Sequence, residues 1–131
     1  MKIIGFSGSP RKNGNTSWAV EQILNGSNQA GAETVLFSSS DFDIKPCRGC
    51  YGCKNGDNGC GIKDDMQKVY AELKDADAVV FASPVYMGQM TGQAWETWRR
   101  TILYRFPRFS SLEYFCFHGK IIMAIFWLYR S

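Results

Sequence analysis

A glycine-rich stretch, Gly5 to Thr16 (GFSGSPRKNGNT), directly follows the short apolar run Lys2-Ile3-Ile4 and directly precedes an amphipathic segment. That placement constrains the fold strongly. A strand has to hand over to a helix through a loop whose backbone can bend sharply and approach a ligand closely, a freedom that Gly5, Gly8 and Gly14 supply. Ser7, Ser9, Asn13, Asn15, Thr16 and Ser17 add hydroxyl and amide donors, and Arg11 and Lys12 add charge. With the helix beginning near Asn15 or Thr16, its unpaired N–H groups and the positive end of its dipole face the loop, so an anion is the fitting occupant.

The loop also excludes some anions. A Walker A loop needs Gly-x4-Gly-Lys-Ser/Thr, whereas five residues separate Gly8 from Gly14 and Asn15 stands in the lysine position. The dinucleotide fingerprint Gly-x-Gly-x-x-Gly is broken at its second glycine by Ser7. The hydroxyl-rich loop suits a terminal monoester phosphate held by many hydrogen bonds.

Hydropathy patterning arranges the rest around this loop. Strands are expected over Lys2–Phe6, Glu33–Phe37, Ala78–Ala82 and from about Lys120, the first a nearly continuous and the third a fully apolar run of the kind a covered parallel sheet requires. Helices are expected over Thr16–Gln29, with Ala19, Val20, Ile23 and Leu24 on one face, and after Asp64 or Asp65, with Met66, Val69, Tyr70 and Leu73 on one face. A third helix is expected from near Thr91, carrying Trp95, Trp98 and Ile102 inward and ending by Pro107. The order gives an α/β fold, a doubly wound parallel sheet with helices on both faces. Ligands bind such sheets beyond the carboxyl ends of the strands. The Gly5–Thr16 loop and the loop expected at Ser83–Gly88 both leave strands at that edge, so they should border one pocket, the second lining a flat ring with backbone amides and the Tyr86 side chain.

Residues 41–63 carry no sustained period but hold four cysteines, Cys47, Cys50, Cys53 and Cys60, spaced C-x2-C-x2-C-x6-C with Gly49 and Gly52 between the first three. This spacing resembles the C-x2-C-x2-C run of bacterial ferredoxins and can surround a compact iron–sulfur core. Zinc fits four thiolates too, although its sites more often use two separated pairs, and a disulfide or unligated loop thiols are the other readings. Cys116 stands outside the spacing and reads as a buried thiol; His118 has no sequence-local partner. The tryptophans and methionines all read as core, Met87 alone excepted because of its loop position.

With 131 residues, 45% hydrophobic and 21% charged, the chain reads as one domain over 1–131. A net charge of +3 gives no case for nucleic acid, and the arginines at 99, 100, 105 and 108 read as a solvated helix face and its following turn. No charged leader precedes an apolar signal region, and the Ile121–Tyr129 run is too short to span a bilayer as a helix, so a cytoplasmic protein without membrane partners is expected.

Together GFSGSPRKNGNTS, the PCRGCYGC segment with its following KDDM, and SPVYMGQMTGQ resemble the NADPH-dependent FMN reductase and iron–sulfur flavoprotein branch of the flavodoxin-like superfamily. The resemblance covers roughly residues 1–100. It implies an FMN-dependent oxidoreductase with NAD(P)H as electron donor. The FMN phosphate would lie at Ser9, Arg11, Asn15, Thr16 and Ser17, and the ring against Pro84, Val85, Tyr86, Met87 and Gly88. It further implies a homo-oligomer and, in the iron–sulfur members, a [4Fe–4S] cluster on the cysteine motif that passes electrons to a ferredoxin-type partner. Beyond about residue 105 the chain departs from the family pattern, which continues through fourth and fifth strands and a final helix. Here Gly119 to Phe126 is expected as the fourth strand, with the sheet truncated after it and an apolar edge exposed. The alternative reading is a non-catalytic flavin- or metal-binding module, a shortened remnant of such a reductase.

Overall fold

The computed structural model describes residues 1–54, 60–105, 111–117 and 121–127. Three parallel strands form one side of its sheet. β1 (Lys2–Ser7) lies between β2 (Glu33–Ser38) and β3 (Ala78–Tyr86), in register Ile4 with Val35 on one side and Ile4 with Val79 on the other. The helices are α1 (Asn15–Gln29), α2 (Met66–Leu73) and α3 (Gly92–Arg105). A two-residue strand, β4 (Gln89–Met90), folds back on β3, and β5 (Ser111–Phe117) and β6 (Ile121–Trp127) complete the order β2-β1-β3-β6-β5. This is the flavodoxin-like α/β fold expected from the sequence.

Side chains alternate across the sheet with the period of two that strands impose. Ile3, Ala78, Val80 and Ala82 pack under Val20 and Leu24 of α1, while Ile4, Phe6, Val79 and Phe81 face Met66, Val69, Tyr70 and Leu73 of α2 and Ala94 of α3. Phe6 stacks on Phe81 at 5.0 Å, and Trp98 meets Phe81 edge-on at 5.5 Å. The α1 face is lined by small residues, so the helix approaches closely; a Cβ on Gly5 would lie 2.6 Å from Val20 Cγ1. Gly5 therefore serves helix–sheet packing, not the ligand. At the end of α1 Gly31, with φ +88°, turns the chain toward β2.

Three features differ from the sequence expectation. β6 is antiparallel to β3, with Val80 opposite Ile125, and β5 is antiparallel to β6, with Tyr114 opposite Ala124. The chain leaving α3 first builds the edge strand β5, parallel to β3, and then turns back into the gap as β6. An antiparallel hairpin needs only a short connection, whereas a parallel neighbour needs a crossover of a dozen or more residues. The sheet edge thus lies one strand farther out than expected. Second, β3 does not stop at Ala82 but runs through Pro84 to Tyr86, because Gly88 serves as a hairpin turn residue rather than a strand breaker. Third, Trp18 and Trp95 are not core residues, being 63% and 45% exposed, whereas Trp98 packs inward.

Pro107, Arg108, His118, Gly119 and Lys120, together with the side chains of Ile102, Arg105 and Cys116, lie outside the described residues. Among the described residues no helix is long and apolar enough to cross a membrane.

The glycine contacts make opposite demands at two positions. A Cβ on Gly8 would lie 2.4 Å from Ala94 Cβ and 3.1 Å from its Cα, whereas a Cβ on Gly26, inside α1, would meet nothing within 4 Å. Gly8→Ala is expected to destabilise by about 1–3 kcal/mol through overpacking. Gly26→Ala is expected to stabilise by about 0.5–1 kcal/mol by lowering the entropy lost on helix formation. Urea unfolding of both variants measures the two signs.

Candidate functional site

The loop after β1 is pinned by backbone before any ligand arrives. Gly8 N–H donates to the Ala82 carbonyl at 2.7 Å, and Thr91 Oγ1 donates to the Gly8 carbonyl at 2.5 Å. The same Thr91 hydroxyl accepts the Ala94 N–H at 3.1 Å, so it caps α3 while holding the first loop. Thr91 N–H in turn donates to Ser83 Oγ at 3.0 Å. The loop after β1, the carboxyl half of β3 and the start of α3 are thereby one hydrogen-bonded unit.

Within it, Ser9, Thr16 and Ser17 are buried. Ser7 and Ser17 share a hydroxyl–hydroxyl bond of 2.9 Å, and Ser9 Oγ accepts the Arg11 N–H at 3.1 Å in a tight local turn. Ser39, following β2, donates its hydroxyl to the Ser9 carbonyl at 2.9 Å and so braces the loop from the other side. α1 begins at Asn15 behind Gly14, which has extended geometry and offers no side-chain cap, leaving the first-turn amides to an external acceptor. Asn15 is exposed at that terminus and the Arg11 side chain is exposed beside it. Lys12 is engaged with Asp41 at 2.6 Å. An uncapped helix start, hydroxyls and one exposed guanidinium form a donor set that fits a phosphate monoester such as that of FMN.

The second expected wall is a β-hairpin and not an open loop. Val85 pairs with Met90 and Tyr86 with Gln89 across a turn made by Met87 (φ +52°) and Gly88 (φ +76°). Two consecutive left-handed residues define a type I′ turn, whose twist suits a two-residue hairpin. A methionine in this conformation costs about 1–2 kcal/mol relative to glycine. Pro84 and Val85 are half-buried, Tyr86 is exposed and Met87 is fully exposed at the tip. Beside the first loop, a cavity of about 250 Å3 lies between Ser39, Phe42, Asp43 and Ile44 on one side and Gln93 and Thr97 of α3 on the other.

The cysteine segment hangs from α2 and α3. Cys47, Cys53 and Cys60 are half-buried and Cys50 is exposed. Gly52–Lys54 forms one short 3-10 turn. Four thiols are the right chemistry for iron–sulfur or zinc, but among the described residues no three metal-binding side chains converge on a common point.

Cys60 Sγ instead lies 3.6 Å from Arg100 Nη2. Arg100 is only 2% exposed, a correction to its reading as part of a solvated face, although its neighbour Arg99 is exposed. Its guanidinium pairs with the Asp64 carboxylate through both terminal nitrogens, donates to the Lys45 carbonyl at 3.0 Å and, through Nε, to Tyr70 Oη at 3.3 Å. Asp64 also accepts the N–H groups of Lys45 (2.8 Å) and Met66 (3.2 Å), the latter the first residue of α2, whereas Asp65 at the N-cap position makes no side-chain capping bond. Asp65 accepts from Asp43 N–H and Lys68. Sequence reasoning missed Arg100 because its partner lies 36 residues away, in the loop just before α2.

Burial opposes ionisation of Asp64, but the Arg100 guanidinium and the Lys45 and Met66 amides hold its carboxyl below the ordinary value near 3.8. Burial pushes the Tyr70 hydroxyl up despite Arg100, and Arg100 stays charged because Asp64 outweighs its desolvation. Since the unfolded Asp64 takes up its proton at higher pH than the folded one, its contribution is complete above about pH 4 and is lost as pH falls through the folded value. Asp64→Asn is expected to lower stability at pH 7 by about 3 kcal/mol, since it leaves Arg100 buried without its counter-ion. The difference from wild type should shrink from pH 4 to pH 2, measured by chemical unfolding across that range.

The sequence also matches known proteins over this whole site. The family model described as NADPH-dependent FMN reductase matches residues 1–127. An iron–sulfur flavoprotein of Methanocaldococcus jannaschii is 42% identical over 93 residues, covering 71% of this chain and 48% of that protein. A second from the same organism is 39% identical over 125 residues, covering 95% and 60%. One from Methanosarcina thermophila is 36% identical over 110 residues, covering 84% and 57%. The chain therefore spans about half to three-fifths of the length of these relatives. With the three parallel strands, the loop at the start of α1 and these matches in agreement, the chain belongs to the NADPH-dependent FMN reductase family of flavodoxin-like proteins.

Proposed function

We propose that this protein is an FMN-dependent oxidoreductase that takes electrons from NAD(P)H. The observation that carries the reading is the start of α1, without a side-chain cap and carrying buried Thr16 and Ser17 in its first turn, beside a loop with buried Ser9. Ser9, Arg11, Asn15, Thr16 and Ser17 hold the phosphate, through side-chain hydroxyls, the first-turn amides and the exposed guanidinium. Pro84, Val85, Tyr86, Met87 and Gly88 form the ring's support, with Tyr86 offering an aromatic face and the turn residues Met87 and Gly88 offering amides near developing negative charge. FMN, when bound, supplies hydride acceptance and one-electron release; the chain's part is placement, exclusion of water and tuning.

The relatives' name, iron–sulfur flavoprotein, supports Cys47, Cys50, Cys53 and Cys60 as holders of a [4Fe–4S] cluster. The thiols suit it, the described arrangement does not converge on one, and no electron step here depends on it. The proposed acceptor is a one-electron carrier of the ferredoxin type. A second copy of the chain is proposed to cover the ring, a reading supported by the exposed Tyr86–Met87 tip.

Anaerobic addition of NADPH or NADH to the FMN-loaded protein is expected to bleach the flavin absorbance. Flavin that binds but stays oxidised with both donors contradicts the activity and leaves a non-catalytic flavin module. Thr16→Val is expected to weaken FMN binding about tenfold, in line with one lost hydrogen bond to a charged group. Fluorescence titration measures it.

A further inference from the structure

We infer that the buried Arg100–Asp64 pair is a positioning device for the cysteine loop, setting where Cys47 and Cys60 stand relative to each other. The loop's entry is tied down at every second residue. Asp43 makes two hydrogen bonds with Asp65, its N–H donating to the Asp65 Oδ2 side-chain oxygen at 2.9 Å and its carbonyl accepting from Asp65 N–H at 3.3 Å. Lys45 gives its N–H to Asp64 and its carbonyl to Arg100. Cys47 N–H donates to Glu96 Oε2 of α3 at 3.0 Å.

The exit is tied to Arg100 as well, and to α2. Arg100 reaches Cys60 Sγ, and Gln67 Nε2 donates to the Ile62 carbonyl at 2.8 Å. One guanidinium thus contacts both ends of a segment whose ends are 15 residues apart in sequence, Lys45 to Cys60.

A stabilising role alone does not explain this design. Buried ion pairs are weak contributors to stability compared with apolar residues of similar volume, and their best-attested role is to fix register. Here the fork of Arg100 is spent on the loop and on Asp64, and Asp64 spends its second oxygen on the loop as well. α3 extends the effect, since the helix that carries Glu96 and Arg100 is capped by Thr91, which grips Gly8 of the first loop. The inference goes beyond the flavin reading and holds whichever group the thiols bind.

Hydrogen–deuterium exchange read by mass spectrometry tests it on the purified protein and on two variants. Arg100→Met with Asp64→Leu replaces the pair by apolar side chains; Arg100→Lys keeps the charge but loses the fork. In both, peptides covering 43–53 should exchange at least about tenfold faster, as local opening of the loop requires, with β1 and β3 peptides protected as in wild type. Unchanged loop exchange in either folded variant overturns the inference. So does a parallel rise in loop and strands, which would mark the pair as a general stabiliser. Arg100→Lys decides alone if the double variant does not fold. Loss of FMN binding would bear on the flavin reading only.

Discussion

The architecture depends on the hydrogen bonds around Thr91. Its hydroxyl caps α3 and grips the Gly8 carbonyl, its amide is held by Ser83, and Gly8 N–H is held by the Ala82 carbonyl. Two loops from different strands and the start of a helix are thereby fixed by four short contacts, three of them made by one residue. Gly8 permits this closeness, since any Cβ would run into Ala94. A preformed loop lowers the ordering entropy that an anion would otherwise have to overcome on binding.

The second constraint is electrostatic. A guanidinium and a carboxylate taken from water into the core lose several kcal/mol of solvation each, of order 20 kcal/mol in the idealised limit, and only close geometry with further hydrogen bonds offsets it. Arg100 and Asp64 meet that condition through Lys45, Met66 and Tyr70, all of which come from the cysteine segment or α2. The pair therefore makes the placement of the irregular segment inseparable from the packing of two helices. The loop after β1 at one end of α3 and the cysteine loop along its middle are referred to the same rigid element.

Local physics was legible in the sequence, and non-local pairing was not. Ile3 and Ile4, Val79 and Val80, and the face Met66, Val69, Tyr70 and Leu73 declared strands and a helix by their period, and the glycine–serine loop declared its place between strand and helix. The Met87-Gly88 turn was misread because a proline two residues before Tyr86 suggests the end of a strand, although Pro84 sits in the outer part of β3, opposite Ile121. The direction of β6 was hidden because an apolar run reads the same in either orientation. Arg100 looked like its exposed neighbour Arg99; only the distant carboxylate of Asp64 distinguishes them. Gly5 and Gly8 were legible as close-approach residues, but what approaches them is a helix in each case.

The central claim is that the start of α1 and its loop form a phosphate site that selects a flavin mononucleotide. Calorimetric titration of the apoprotein with FMN and, separately, with riboflavin tests this most directly, because the two ligands share the ring and ribityl chain and differ in the phosphate. Two or more charge-assisted hydrogen bonds to the phosphate give an expected preference for FMN of at least about a hundredfold. Equal affinity for the two ligands would contradict the account.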